Sequence, residues 1–284
     1  MKRLILYITT ASLIIFSGHK LKSDYEQTVL IPDVDKLKTN QSLMIQIPDK
    51  YLSVEKTLFL PVTMIVFDPS NDEIDGYFLD NLKTRYSPCS TFKIPHALFA
   101  LDSGVVTQED SFQKWNGTDY RVEAWNKDQT LASAIKNSVV WYFVNTAEKI
   151  GPKTMQAYLD KIDYGNKDMS DNGAFWLNAS LEVSVLEQLD LLIKLYNNQL
   201  PFSAADQEYV KSLLLQEKKG NRSLYGKTGG GDHNGWFIGY VETRLENNEK
   251  EVVYFVTHMG VHPFSSGQAS RDISIATLEY SGLY

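Results

Sequence analysis

Strand-forming runs stand at both ends of this chain and helix-forming runs fill the space between them, an order that few folds can satisfy. Leu60 to Asp68 (LPVTMIVFD) is apolar and β-branched and ends in Asp-Pro-Ser-Asn-Asp, so it reads as a strand and a turn, with Gly76 to Leu79 as its hairpin partner. Beyond Gly220 three more runs read as strands: Ser223 to Thr228, Gly235 to Thr243 and Glu251 to His258. Gly-rich and Asn-Asn turns suited to hairpins join them. The pattern predicts an α+β chain, in which an antiparallel sheet is completed by both termini and an all-helical region is inserted at about residues 105–220.

Helix signals are equally local. Ser90 to about Ser103 is apolar on a helical period and stops at Gly104, with Pro95 tolerable only near its start. Asp128 to Lys136 and Val140 to Lys149 read as two more helices, the second closed by Gly151-Pro152. Ser184 and Glu187 form a capping box that opens a run to Asn198. Ser203 caps another helix ending before Gly220, and Arg271 to Tyr280 closes the chain as a helix. Lys22 to about Thr57 is polar and broken by Pro32 and Pro48, so loops are expected there, with one short helix or strand at most.

With 284 residues, 43% of them hydrophobic, the chain can build one large domain or two entwined ones. Its net charge of −7 and the lack of a basic run after residue 3 argue against a nucleic-acid surface. The single cysteine, Cys89, excludes an internal disulfide and reads as a small buried residue. Met1-Lys2-Arg3 followed by the apolar stretch Leu4 to Phe16 resembles an export signal, so residues 1–22 are expected to be a signal peptide or an uncleaved anchor and residues 23–284 the folded domain, placed in the periplasm or outside the cell. No Ala-x-Ala site follows the apolar stretch, and no cysteine that would suit a lipoprotein.

Chemistry concentrates at Ser90-Thr91-Phe92-Lys93. Spaced three apart at a helix start, Ser90 and Lys93 share one face, which pairs a nucleophile with a base. A lysine can act as a base at neutral pH only when burial or carbamylation keeps it from being an ordinary ammonium. Two more short elements fall where an acyl-transfer site needs them. Ser138-Val139-Val140 sits at a helix junction, and Lys227-Thr228-Gly229 ends a strand whose Gly230-Gly231 continuation allows close backbone approach. His258, His262 and Asp232-His233 have a spacing that suits metal ligands only on a helix, and this region reads as strand and loop, so no metal is expected.

These stretches, with Trp125, Thr130-Leu131, Tyr164-Gly-Asn166, Phe175-Trp-Leu177 and Gly235-Trp-Phe-Ile-Gly-Tyr-Val-Glu242, resemble class D (oxacillinase-type) serine β-lactamases from about Leu58 to Leu283. The resemblance implies the penicillin-recognising serine enzyme fold, an α/β/α sandwich, and hydrolysis of the β-lactam ring of penicillin-type antibiotics. In that reading Ser90 attacks the lactam carbonyl and Lys93, carbamylated by carbon dioxide to N6-carboxylysine, is the general base. Trp176 and Val140 stabilise the carbamate, Ser138 relays a proton to the departing nitrogen, and Lys227 supplies a positive field. Thr228 and Arg271 hold the substrate carboxylate, while the amides of Ser90 and Gly230 form the oxyanion hole. No cofactor besides carbon dioxide is implied. The alternatives are a β-lactam-sensing domain that stays acylated, usually set behind membrane helices and a protease domain that this reading does not find, and a peptidoglycan transpeptidase or carboxypeptidase. Two departures from the family pattern stand out: His96, where the family commonly has Asn, and the loop Gly230-Gly231-Asp232-His233.

Overall fold

Hydrophobic alternation along the central strands decides the architecture. The computed structural model describes residues 32–51, 60–71, 73–171, 173–177 and 179–284, all within the unit formed by residues 31–284. The expected export segment at residues 1–22 lies outside the described residues. In chain order the strands are β1 (Lys38–Asn40), β2 (Val62–Asp68), β3 (Glu73–Tyr77), β4 (Arg85–Tyr86), β5 (Val183–Ser184), β6 (Leu215–Lys219), β7 (Arg222–Gly231), β8 (Asn234–Arg244) and β9 (Lys250–Met259). Seven of them form one sheet in the order β1-β3-β2-β9-β8-β7-β6, and β4 with β5 forms a small second one. Strands from both ends of the chain thus meet at the β2–β9 pair.

Ile65 and Phe67 of β2, Trp236, Ile238 and Tyr240 of β8, and Tyr254 and Val256 of β9 belong to one buried cluster. Their sequence neighbours Met64, Val66, Phe237, Val241 and Phe255 belong to another, on the opposite face of the sheet. Strands apolar on both faces need cover on both. The helix α7 (Gly267–Tyr280) covers one face through Leu278. On the other lie α1 (Lys93–Asp102), α2 (Leu131–Lys136), α3 (Val140–Ile150), α4 (Pro152–Ile162), α5 (Val185–Tyr196) and α6 (Ala204–Leu213). This is the α/β/α sandwich expected from the resemblance. At its middle, every residue of α1 from Lys93 to Leu101 is buried.

The structure corrects the sequence reading in four places. The sheet is mixed, because β1 runs parallel to β3; no tight turn joins these two, so nothing in the loop imposes the antiparallel direction. The helix begun at Ser203 stops at Leu213, and Leu215–Lys219 forms an edge strand exposed at all five positions. Such an edge shows no buried alternation, and its charged residues discourage further pairing. Pro152, read as a stop, also starts α4 at a first-turn position where its missing amide hydrogen is harmless. The nucleophile segment is a 3-10 turn, Cys89–Phe92, with α1 beginning only at Lys93.

Candidate active site

Three segments converge on Ser90: the turn before α1, the α2–α3 junction, and the second half of β7. Lys93 Nζ is hydrogen-bonded to Ser90 Oγ at 2.7 Å. Lys227 Nζ donates to Ser138 Oγ at 2.9 Å and to the carbonyl of Thr228 at 2.9 Å. Beyond Tyr225, β7 has no pairing with β6, so its edge from Lys227 to Gly231 is left to the Ser90 turn. Gly229 permits the approach, since a Cβ there would stand 2.7 Å from the carbonyl oxygen of Pro88. Gly230 is exposed and Thr228 half-buried on this edge. The first turn of α7 packs over it, because a Cβ on Gly267 would meet the Thr228 Cβ at 3.0 Å. Arg271, four residues on, shares that helical face and has no ion-pair partner among the described residues.

Local strain collects here. Cys89 (φ 50°) and Ser138 (φ 56°) both adopt the left-handed backbone, a conformation that costs a non-glycine residue on the order of 1–2 kcal/mol. At Ser138, tryptophans hold the turn: Trp125 Nε1 donates to the Asn137 carbonyl and Trp141 Nε1 to the Trp125 carbonyl, both at 2.9 Å. At Cys89, Asn234 Nδ2 and Trp236 Nε1 donate to the Ser87 carbonyl at 2.8 and 2.9 Å. Behind them His258, stacked between Tyr86 and Trp236, faces Asn234 Oδ1 from Nε2 at 2.9 Å. That oxygen can only accept, so Nε2 carries the proton, and burial keeps the ring neutral by lowering its pKa to about 3. His258 is therefore a support for the Ser90 turn. Sequence reading missed this network, whose only signal was an Asn before the Gly235-Trp236 strand.

Burial dominates the electrostatics. Lys93 is fully buried, and desolvation, then the nearby charge of Lys227, holds its amine far below the usual lysine range. Burial also lowers Lys227, to about 7. The Phe143 ring lies under the Lys93 amine, with Nζ 5.4 Å from its centroid. Val140 opens α3 one turn earlier, half-buried, and lines a cavity of about 270 Å³ with Tyr120, Trp125 and Trp141. A larger cavity of about 570 Å³, lined by Asp33, Arg85, Glu187 and Asp190 among others, contains none of the nucleophile's groups.

Trp176 is fully buried, and its Nε1 has no hydrogen-bond partner among the described residues. Its ring packs against Phe92 at 5.5 Å and Phe175 at 5.0 Å. Tyr164-Gly165-Asn166 holds the loop that carries it. Asn166 Nδ2 donates to the Ser180 carbonyl at 2.8 Å and its Oδ1 accepts from the Glu182 amide at 3.0 Å. Gly165 is at φ 58°, and a Cβ there would lie 2.1 Å from the Glu182 carbonyl oxygen. The buried amine, with its lowered pKa, and the unpartnered indole N–H together fit an acidic group formed on Lys93, which would need donors and a dry setting.

The chain matches the penicillin binding protein transpeptidase domain over residues 62–276. Regulatory protein BlaR1 of Bacillus licheniformis is 36% identical over 225 residues, covering 78% of this chain and 37% of that protein. Beta-lactamase OXA-2 of Salmonella typhimurium is 45% identical over 180 residues, 63% of this chain and 62% of that one. The chain thus spans less than two thirds of the length of either relative. The crystal structure of a class D beta-lactamase from Bacillus subtilis superposes with a TM-score of 0.75 at 33% identity, covering 86% of this chain and 98% of the other.

Proposed function

The chain belongs to the penicillin-binding protein transpeptidase family, in its class D β-lactamase group, and we propose that it hydrolyses the β-lactam ring of penicillin-type antibiotics through an acyl-enzyme on Ser90. The observation that carries this reading is a fully buried amine, its pKa pushed well below the usual lysine range, 2.7 Å from a serine hydroxyl.

Ser90 Oγ attacks the lactam carbonyl carbon while its proton moves to the base carried on Lys93. Charge developing on the carbonyl oxygen meets the amides of Ser90 and Gly230, worth roughly 3–4 kcal/mol per donor in such sites. The lactam C–N bond breaks, and Ser138, hydrogen-bonded to Lys227, passes a proton to the departing nitrogen. Thr228 and Arg271 hold the substrate carboxylate on the β7 edge. Once the proton taken from Ser90 has been passed on to Ser138, a water molecule attacks the ester carbonyl and gives its proton to the freed base, which returns it to Ser90 as the ester C–O bond breaks. Carbon dioxide, bonded to the Lys93 nitrogen with loss of one N–H proton to water, would supply a carboxylate-like base there. Trp176 would hold it by its N–H and Val140 would wall the cleft side. The unpartnered indole donor supports this. In this reading the protein is exported to the periplasm or beyond and confers antibiotic resistance.

The similarity to BlaR1 favours a second reading, a receptor that stays acylated. One experiment separates the two. Purified protein is mixed with benzylpenicillin, with and without bicarbonate, and followed by ring-opening absorbance and intact mass. Turnover with a transient adduct, strengthened by bicarbonate and absent in Ser90→Ala, is the expected result. A lasting adduct without product would favour the receptor, and no adduct at all would overturn both.

A further inference from the structure

His96 is a buried titratable residue that the mechanism above leaves unused. It is fully buried, and neither ring nitrogen has a hydrogen-bond partner among the described residues. An aliphatic side chain could fill this cage of rings without leaving polar atoms unpaired, and an unpaired buried donor is costly. The imidazole therefore lacks a structural reason within the protein alone.

Its position supplies a chemical one. His96 follows Lys93 by three residues on α1, so the two share a helical face. The imidazole lies 5.3 Å from the Trp176 ring, edge to face at 75°, and 5.1 Å from Phe143, the ring that also lies under the Lys93 amine at 5.4 Å. Phe92 closes the cage at 5.5 Å. The unpartnered nitrogens of His96 and Trp176 thus belong to the same cage of rings as the buried Lys93 amine. Burial keeps the imidazole neutral, with its pKa lowered to about 3, and the charge state of Lys93 is felt at the ring. A neutral imidazole offers one N–H, whereas a carboxylate-like group offers two oxygens with about four acceptor sites. Trp176 can satisfy only one of those sites.

We infer that His96 is a positioning residue that donates a second N–H to the acidic group formed on Lys93, completing a two-donor cradle with Trp176. The inference rests on the carbamylation of Lys93 proposed above. The covalent step is unchanged: the amine nitrogen bonds to the carbon of carbon dioxide, one C=O electron pair moves onto oxygen, and the N–H proton leaves to water. What His96 alters is how tightly carbon dioxide is held.

The test reads occupancy directly, by the carbonyl 13C resonance of protein titrated with 13C-bicarbonate. His96→Leu should raise the bicarbonate concentration for half-occupancy about tenfold to hundredfold, the effect of losing one hydrogen bond to a charged group, and His96→Asn should recover most of it. In the wild type the His96 imidazole N–H resonance should move on adding bicarbonate, and in Lys93→Ala it should not. Should His96→Leu fail to fold, that imidazole resonance decides alone. An unchanged half-occupancy in a folded His96→Leu, or a motionless imidazole beside a clear 13C signal, would overturn the inference. A wild type with no 13C signal would instead overturn the reading of Lys93 itself, and the inference with it.

Discussion

Replacing Trp176 by Phe should separate stability from function in opposite directions. In the bare protein the indole N–H is a buried donor without a partner among the described residues, and removing such a group relieves about 1–3 kcal/mol. Against that, the smaller ring leaves roughly 40 Å³ empty, costing about 1 kcal/mol. In carbon-dioxide-free buffer the variant should therefore be as stable as the wild type or slightly more so. With bicarbonate the order reverses. A ligand held only by the folded state adds about 2.7 kcal/mol at a hundred times its dissociation constant. For a domain of this size that is about 5–10 °C in melting temperature. The wild type should gain this increment and Trp176→Phe should lose most of it. Thermal melts in degassed buffer and in bicarbonate, matched in ionic strength with chloride, measure both. A variant destabilised by several kcal/mol without carbon dioxide, or one that gains as much from bicarbonate as the wild type, would refute the reasoning.

Burial lowers Lys227 to about 7, so its charge is present below that pH and lost above it; kcat/KM should fall as pH rises through about 7, and Lys227→Arg, which stays charged, should remove that limb from the pH–rate profile. The same shift makes the unfolded chain bind more protons between about pH 7 and 10.4, so urea melts should show stability rising with pH across that window, with a smaller slope in Lys227→Met. Ser184→Ala should cost about 0.5–2 kcal/mol in urea unfolding and leave the rate of ring opening unchanged. It removes a capping box in which Ser184 Oγ accepts from the Glu187 amide at 3.2 Å and Glu187 accepts from the Ser184 amide at 2.8 Å.

The fold was legible where local and global demands agree. β2, β8 and β9 carry apolar residues toward both faces, and only a sheet covered on both sides accommodates that. The Ser184 box and the Gly104 terminator marked helix ends because they act within one turn. What escaped was set by tertiary pairing. β6 is a strand only because the backbone of β7 lies beside it, and β1 takes its direction from β3 rather than from a turn. At Gly151-Pro152 the same two residues end α3 and begin α4, so the local signal had two meanings and a stop was the one taken.

The groups proposed to react were legible for a different reason than their environment. Ser90, Lys93, Ser138 and Lys227 belong to short motifs, and the structure brings them together in two hydrogen-bonded pairs, 2.7 and 2.9 Å long. Their supports are scattered: Asn234 and His258 meet near the end of the β8–β9 hairpin, and Phe143 reaches Lys93 from another helix. No spacing in the chain announces such contacts. Yet the proposed chemistry would depend on these supports, because exclusion of water is the larger of the two effects, ahead of the nearby Lys227, that lower the pKa of Lys93. The site opposes stability throughout, with two buried amines, two left-handed non-glycine residues and nitrogens on His96 and Trp176 that have no partner among the described residues. Each is tolerated because α1 lies at the centre of the largest buried cluster, so the packing that excludes water from Lys93 also holds the strained turn in place. The reactivity proposed for Ser90 would therefore be a consequence of where the fold puts its most buried helix.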